Sequence, residues 1–94
     1  MSIKTLIQSH EKFKEEYYNE YIDYFHKLAI EGQHPRTLFI SCSDSRVVPN
    51  LITNTKPGEL FIDRNIGNIV PPYSIDGECA AVPASIEYAI NLFI

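Results

Sequence analysis

The chain has no long uninterrupted apolar run. It opens Met-Ser-Ile-Lys-Thr-Leu-Ile-Gln and becomes charged soon after, a pattern with neither the apolar core of a signal peptide nor the length of a membrane span. It predicts a soluble, cytoplasmic protein with no membrane partner. Cysteine is scarce: Cys42 and Cys79 are the two present, too few for a secreted disulfide scaffold, and in a reducing compartment both stay thiols open to metal. Basic side chains are also in short supply. Eight Lys and Arg against twelve Asp and Glu leave a net charge of −4, the wrong sign for attracting phosphate backbones, so no nucleic-acid partner is expected. There is no repeat or biased tract, and 45% hydrophobic with 21% charged residues is an ordinary globular balance. Ninety-four residues make at most one domain, which buries about 60 to 65% of its unfolded surface.

What is present begins with an amphipathic pattern. Phe13, Tyr17, Tyr21, Tyr24, Phe25 and Leu28 recur at helical spacing over residues 11–31, predicting a helix with Ser9 as N-cap, Gly32 just past its end and Pro35 barring continuation. A shorter helical turn over residues 3–8 is expected ahead of it. Thr37–Cys42 is a nearly continuous apolar run bounded by Pro35 and Ser43-Asp44-Ser45, the signature of a strand buried on both faces and hence of a parallel sheet. Residues 59–63 predict a second strand opened by Pro57-Gly58, with a short helix or loop over 47–53 between the two. A Gly, Asn and Pro-rich loop over 65–77 leads to a last helix carrying Val82, Ile86, Ala89, Ile90 and Phe93. That helix is expected to start near Asp76 and bend at Pro83, rather than to hold Pro83 in its first turn. The fold class is α/β: a helical arm over residues 1–34, then the first strands of a parallel sheet with flanking helices over 35–94. The last helix carries no stop signal, and in a parallel α/β fold a further strand is expected beyond Ile94.

Cys42-Ser43-Asp44-Ser45-Arg46 falls at the carboxyl end of the first predicted strand, where open α/β sheets bind ligands. Cys42 and Asp44 are two apart, so in extended geometry both leave on one face and can approach one cation. A thiolate with a carboxylate suits zinc, and the Arg46 guanidinium can hold the carboxylate off that ion through a bidentate pair. Spacing alone leaves open a bland alternative, a buried cysteine followed by an Asx-type turn and a local ion pair. A phosphatase-type loop is disfavoured, because three residues between Cys42 and Arg46 are too few to wrap a phosphate with backbone N–H groups.

The string Cys42-Ser-Asp-Ser-Arg-Val-Val-Pro resembles the zinc-binding signature of β-class carbonic anhydrases. The likeness extends through Gly32-Gln33, Pro57-Gly58-Glu59-Leu60-Phe61, Arg64-Asn65-Ile66-Gly67-Asn68, Pro71-Pro72 and Ser85-Ile86-Glu87-Tyr88-Ala89, over residues 33–94. This resemblance implies reversible hydration of CO2 to bicarbonate with Zn2+ as cofactor, in a homodimer or larger homo-oligomer. By position Cys42 becomes a zinc ligand. Asp44 either pairs with Arg46 or swings in as a further ligand, and when paired it orients the nucleophile. Gln33 donates to bicarbonate, commonly across a subunit boundary in the family, and Phe61 and Ile66 line an apolar slot for CO2. Two thiolates on zinc would leave its water less acidic than three imidazoles do, so activity favoured at alkaline pH is expected of the complete enzyme.

The family completes its zinc site with a His-x-x-Cys pair, expected roughly ten residues beyond Ile94, since a catalytic zinc takes three protein ligands and a water. Residues 1–94 alone are expected to hold zinc weakly and to hydrate no CO2. His10, His26 and His34 read as surface residues, Cys79 as a small buried one, and Asp63 with Arg64 as either organisers of the 64–68 loop or a surface ion pair. The rival to the enzyme is a non-catalytic remnant that serves as a partner or oligomerisation module through its helical arm.

Overall fold

The computed structural model describes residues 1–74 and 80–93. They form two units, Met1–Gln33 and His34–Ile94.

The first unit is helical: α1 (Ile3–Phe13), a π-helical turn (Lys14–Tyr18) and α2 (Ile22–Glu31). Its start differs from the expected one. Ser2, not Ser9, is the N-cap, its hydroxyl accepting from the Thr5 N–H at 3.1 Å. Nothing between Ile3 and Phe13 breaks a helix, and Ile3, Leu6 and Ile7 already form an i, i+3, i+4 row, so the predicted short turn and the longer helix merge. The π turn adds a residue to one turn and shifts the phase of the apolar stripe. Tyr18 and Ile22 join Tyr24, Phe25 and Leu28 as the half-buried positions, while Tyr17 stays 44% exposed. The rings meet along the unit, Tyr17 tilted against Tyr21 at 4.8 Å and Tyr18 stacked on Phe25 at 5.1 Å between centroids. Gly32 ends α2 as expected: its φ of 78° is one that side chains resist, and its N–H donates to Leu28 O at 2.9 Å.

The second unit runs β1 (Thr37–Cys42), α3 (Pro49–Thr53), β2 (Leu60–Asn65), a 3-10 turn (Ile66–Asn68) and α4 (Ala81–Leu92). The strands pair in parallel, from Thr37 opposite Leu60 to Cys42 opposite Asn65, with α3 in the crossover that a parallel pair requires. β1 has the predicted bounds. β2 runs two residues further than predicted, ending where the 3-10 turn opens at Ile66, ahead of the positive-φ Gly67. Arg64 and Asn65 therefore stand in the ladder opposite Ser41 and Cys42.

β1 is not buried on both faces within this unit. Leu38, Phe39 and Ile40 are half-buried, and of the strand only Ser41 is fully buried, since one neighbouring strand cannot cover both faces. α4 packs on β2 through ring contacts, Phe61 stacked on Tyr88 at 5.6 Å and tilted against Phe93, the residue capping α4, at 5.4 Å. α4 is not bent at Pro83. The helix begins at Ala81, which puts Pro83 in the first turn, where a helix N–H has no intrahelical partner to lose. The expected start near Asp76 and the reading of Cys79 lie outside the described residues.

Candidate functional site

The loop after β1 carries the chemistry. The Cys42 sulfur, half-buried at the end of its strand, accepts two backbone N–H groups, from Asp44 at 3.4 Å and from Gly67 at 3.4 Å. Both aim positive dipole ends at the sulfur and lower its pKa from the ordinary thiol value, the Asp44 amide contributing most and the Gly67 amide next. A thiolate is the form that binds metal.

Asp44 is turned toward Arg46. Its Oδ1 accepts from Arg46 Nε at 3.0 Å and from the Arg46 backbone N–H at 2.9 Å, and its Oδ2 accepts from Arg46 Nη2 at 2.6 Å. This fork holds the carboxyl at a pKa of about 2. The Arg46 side chain is the main cause, the Arg46 backbone N–H adds to it, and the nearby charge of Arg64 acts in the same direction. Arg46 is 87% exposed on its side chain and Asp44 32%, so solvent screens the pair, its contribution to stability is small, and it matters chiefly for where it holds the carboxylate.

Arg64 enters from β2. Its Nε donates to Cys42 O at 3.1 Å, and its Nη2 donates to Asp44 O at 2.9 Å and to Val47 O at 2.6 Å. Arg64 thus grips the Cys42 loop, whereas the reading from sequence had it organise its own loop or pair on the surface. That second loop is ordered instead by Asn65, whose side chain bonds both the N–H and the carbonyl of Ile69, at 2.6 and 3.1 Å. Ser43 N–H reaches Asn65 O at 2.9 Å, continuing the ladder past Cys42.

The residues singled out from sequence are not all gathered here. Cys42, Asp44 and Arg46 come together. Phe61 gives its ring to Tyr88 of α4 and to Phe93 at its end, Ile66 opens the 3-10 turn beside Gly67 and is 79% exposed, and Gln33 is an exposed residue closing the first unit. An apolar groove of about 390 Å3 between Val70, Tyr73, Pro83, Ile86 and Ile90 contains neither Cys42 nor Asp44. Sequence reasoning missed Gly67 as a partner of the sulfur and Arg64 as a partner of the loop. A glycine just past the second strand was the available signal for the first. For the second there was none, since it depends on strand register.

Gly67 gives a direct test of the sulfur's setting. An added Cβ meets nothing nearer than Ile69 Cγ1 at 3.7 Å, so Gly67→Ala has room, but its φ of 74° is strained for any L side chain. The substitution is expected to cost about 1–2 kcal/mol of stability. It should also pull the Gly67 amide off the sulfur and raise the Cys42 pKa, read in metal-free protein as a shift to higher pH in the rate of thiol alkylation. An unchanged alkylation profile would show that the amide does not polarise the thiol.

Taken together, a parallel α/β unit presents at its strand ends a polarised cysteine and, two residues on, a carboxylate latched by arginine: the class is an α/β protein with a candidate site at its strand ends. The sequence profile of the carbonic anhydrase family matches residues 37–93. A carbonic anhydrase of Synechocystis sp. is 51% identical over 90 residues, covering 94% of this chain and 31% of that protein. One of Helicobacter pylori is 52% identical over 79 residues, covering 84% and 35%. Among solved structures, the β-carbonic anhydrase CcaA superposes with a TM-score of 0.86 at 49% identity, over 94% of this chain and 38% of that one. A structure from a study of two tetrameric β-carbonic anhydrases of Sordaria macrospora superposes with a TM-score of 0.77 at 36% identity, over 94% and 42%. The chain belongs to the β-class carbonic anhydrases, and it spans about a third of the length of the curated relatives it matches.

Cys42 and Asp44 fit one side of a zinc site, a soft thiolate with a hard carboxylate two residues on. They do not make a whole one. Among the described residues no three His, Cys, Asp or Glu side chains stand together as a metal-binding group.

Proposed function

We propose that this segment is the first part of a zinc-dependent carbonic anhydrase that interconverts CO2 and bicarbonate, with the remaining zinc ligands supplied by residues outside it. The observation that carries the reading is the pairing of a backbone-polarised Cys42 sulfur with an Asp44 carboxylate held by Arg46 at one strand end. Cys42 would hold the metal. The chemistry that zinc supplies there is an electrophile that makes water nucleophilic near neutral pH.

The chain's own residues do the rest. With a pKa of about 2, Asp44 stays a carboxylate throughout the working range and accepts a hydrogen bond from the attacking oxygen, so that a lone pair faces CO2. Arg46 keeps that carboxylate from turning onto the metal. Gln33 is assigned to binding the bicarbonate oxygens, and Phe61 and Ile66 to the apolar walls that receive CO2, on the family pattern. Homo-oligomerisation is proposed as well. A relative's structure comes from a study of tetrameric enzymes, and the helical unit leaves Ile3, Leu6 and Ile7 exposed at 72%, 50% and 59%, an apolar row suited to a subunit contact. No helix among the described residues is long and apolar enough to cross a membrane, and a cytoplasmic location is proposed with it.

The test is the native protein, taken from its source and measured for intact mass, zinc content and stopped-flow CO2 hydration. One zinc per chain with fast hydration is expected. A native product of this length with neither zinc nor hydration would sink the enzyme reading and favour a partner module.

A further inference from the structure

The Arg64 hydrogen bonds have a purpose that the reaction outlined above does not use. A single guanidinium on β2 holds three carbonyls of the loop after β1, those of Cys42, Asp44 and Val47. These bracket Asp44 on both sides. The Asp44 carbonyl is held twice, by Arg64 and by the Val47 N–H at 3.0 Å, while the Asp44 N–H points at the Cys42 sulfur. Both peptide planes flanking Asp44 are therefore pinned, and the direction in which its side chain leaves the backbone is set before Arg46 is reached. The contact spans 17 to 22 residues of sequence, so it can form only when the strands pair in the observed register.

We infer that Arg64 is a positioning residue: by clamping the Cys42, Asp44 and Val47 carbonyls it fixes the backbone on which the Asp44–Arg46 pair is built, and so governs which way the Asp44 carboxylate faces. The inference rests on the carbonic anhydrase reading for its effect on rate, but not for the clamp itself. A guanidinium suits this task because its donors fan out in one plane and reach separated acceptors, whereas an ammonium is a point. Freed of the clamp, the 44–47 turn loses its tie to β2, and its own Asp44–Val47 hydrogen bond opens more often. Asp44 then samples directions in which it no longer faces Arg46.

The experiment is a double-mutant cycle in the full-length, zinc-loaded protein, comparing Arg64→Gln, Arg46→Ala and the double variant by kcat for CO2 hydration. Arg64→Gln is expected to lower kcat about 10- to 100-fold with zinc content unchanged, and Arg64→Lys to recover part of the loss. Because Arg64 acts through the Asp44–Arg46 pair, the double variant should be no slower than Arg46→Ala alone. Losses that multiply, or full activity in Arg64→Gln, would overturn the inference. A second readout needs neither metal nor turnover: in metal-free protein the Val47 amide should exchange with solvent at least about tenfold faster in Arg64→Lys than in wild type. Equal exchange rates would refute the clamp even where Arg64→Gln fails to fold. If the wild-type protein hydrates no CO2, the carbonic anhydrase reading falls, and the exchange comparison still decides the clamp.

Discussion

Cys42→Ser in the full-length protein is expected to abolish zinc retention and to lower kcat/KM for CO2 hydration by on the order of 10^3-fold or more. The two side chains are nearly the same size, so packing at the end of β1 is kept and the effect is one of chemistry. A thiol whose pKa is lowered by the Asp44 and Gly67 amides presents a soft anion to a borderline-soft ion. A serine hydroxyl in the same place stays protonated and hard. Two measurements settle it: zinc per chain after dialysis, and thermal unfolding of the metal-free forms, which should agree between variant and wild type. A Cys42→Ser protein that keeps one zinc per chain and its full rate would show that Cys42 is not a ligand, and the bland reading of a packed strand-end cysteine would return.

The second large effect is that of Arg46→Ala. The variant is expected to keep its zinc and lose activity about 10- to 100-fold, the range seen when a partner of a metal-site group is removed. Arg46 holds Asp44 at three points, and only the backbone one survives the substitution. The freed carboxylate can then turn onto the metal, and its pKa should rise from about 2 toward the ordinary value. The sign of the linked stability follows from that direction. A carboxyl whose pKa is depressed in the folded state adds stability that is fully present above its unfolded value near 4 and is lost as pH falls through about 2. Wild type should therefore gain on the variant between about pH 2 and pH 4 and show no further change above that window. A carboxyl-detected NMR titration of Asp44 in both proteins measures the shift. Full activity in Arg46→Ala, or an unmoved Asp44 titration, would end the latch role given to the pair.

These two residues were legible because their relationship is local. Cys42, Asp44 and Arg46 lie within five consecutive positions, and any extended strand end followed by a tight turn brings such side chains near one another. The same is true of β1, found with its observed bounds because an apolar run between Pro35 and Ser43-Asp44-Ser45 has no other way to end. The helical region was read less well. Its apolar period was right, but the half-buried face includes Tyr18 and Ile22, seven and three residues before Phe25, and leaves Tyr17 and Tyr21 exposed. Pro83 was assigned to a bend because a helix start before it was expected, and its place in the first turn of α4 emerged only from the hydrogen bond of Ala84 N–H to Ala80 O.

By itself, then, the sequence determined the class of fold, the strand that carries the site, the thiol and carboxylate at its end, and the arginine that holds the carboxylate, since each of these depends on neighbours a few positions apart. The tertiary structure decided what surrounds them. Gly67 donates to the Cys42 sulfur across 25 residues and Arg64 to the Asp44 carbonyl across 20, and both distances collapse only when β1 and β2 pair with Cys42 opposite Asn65. Strand register is a property of the assembled sheet, and a slip of one residue would turn every one of those donors to the other face.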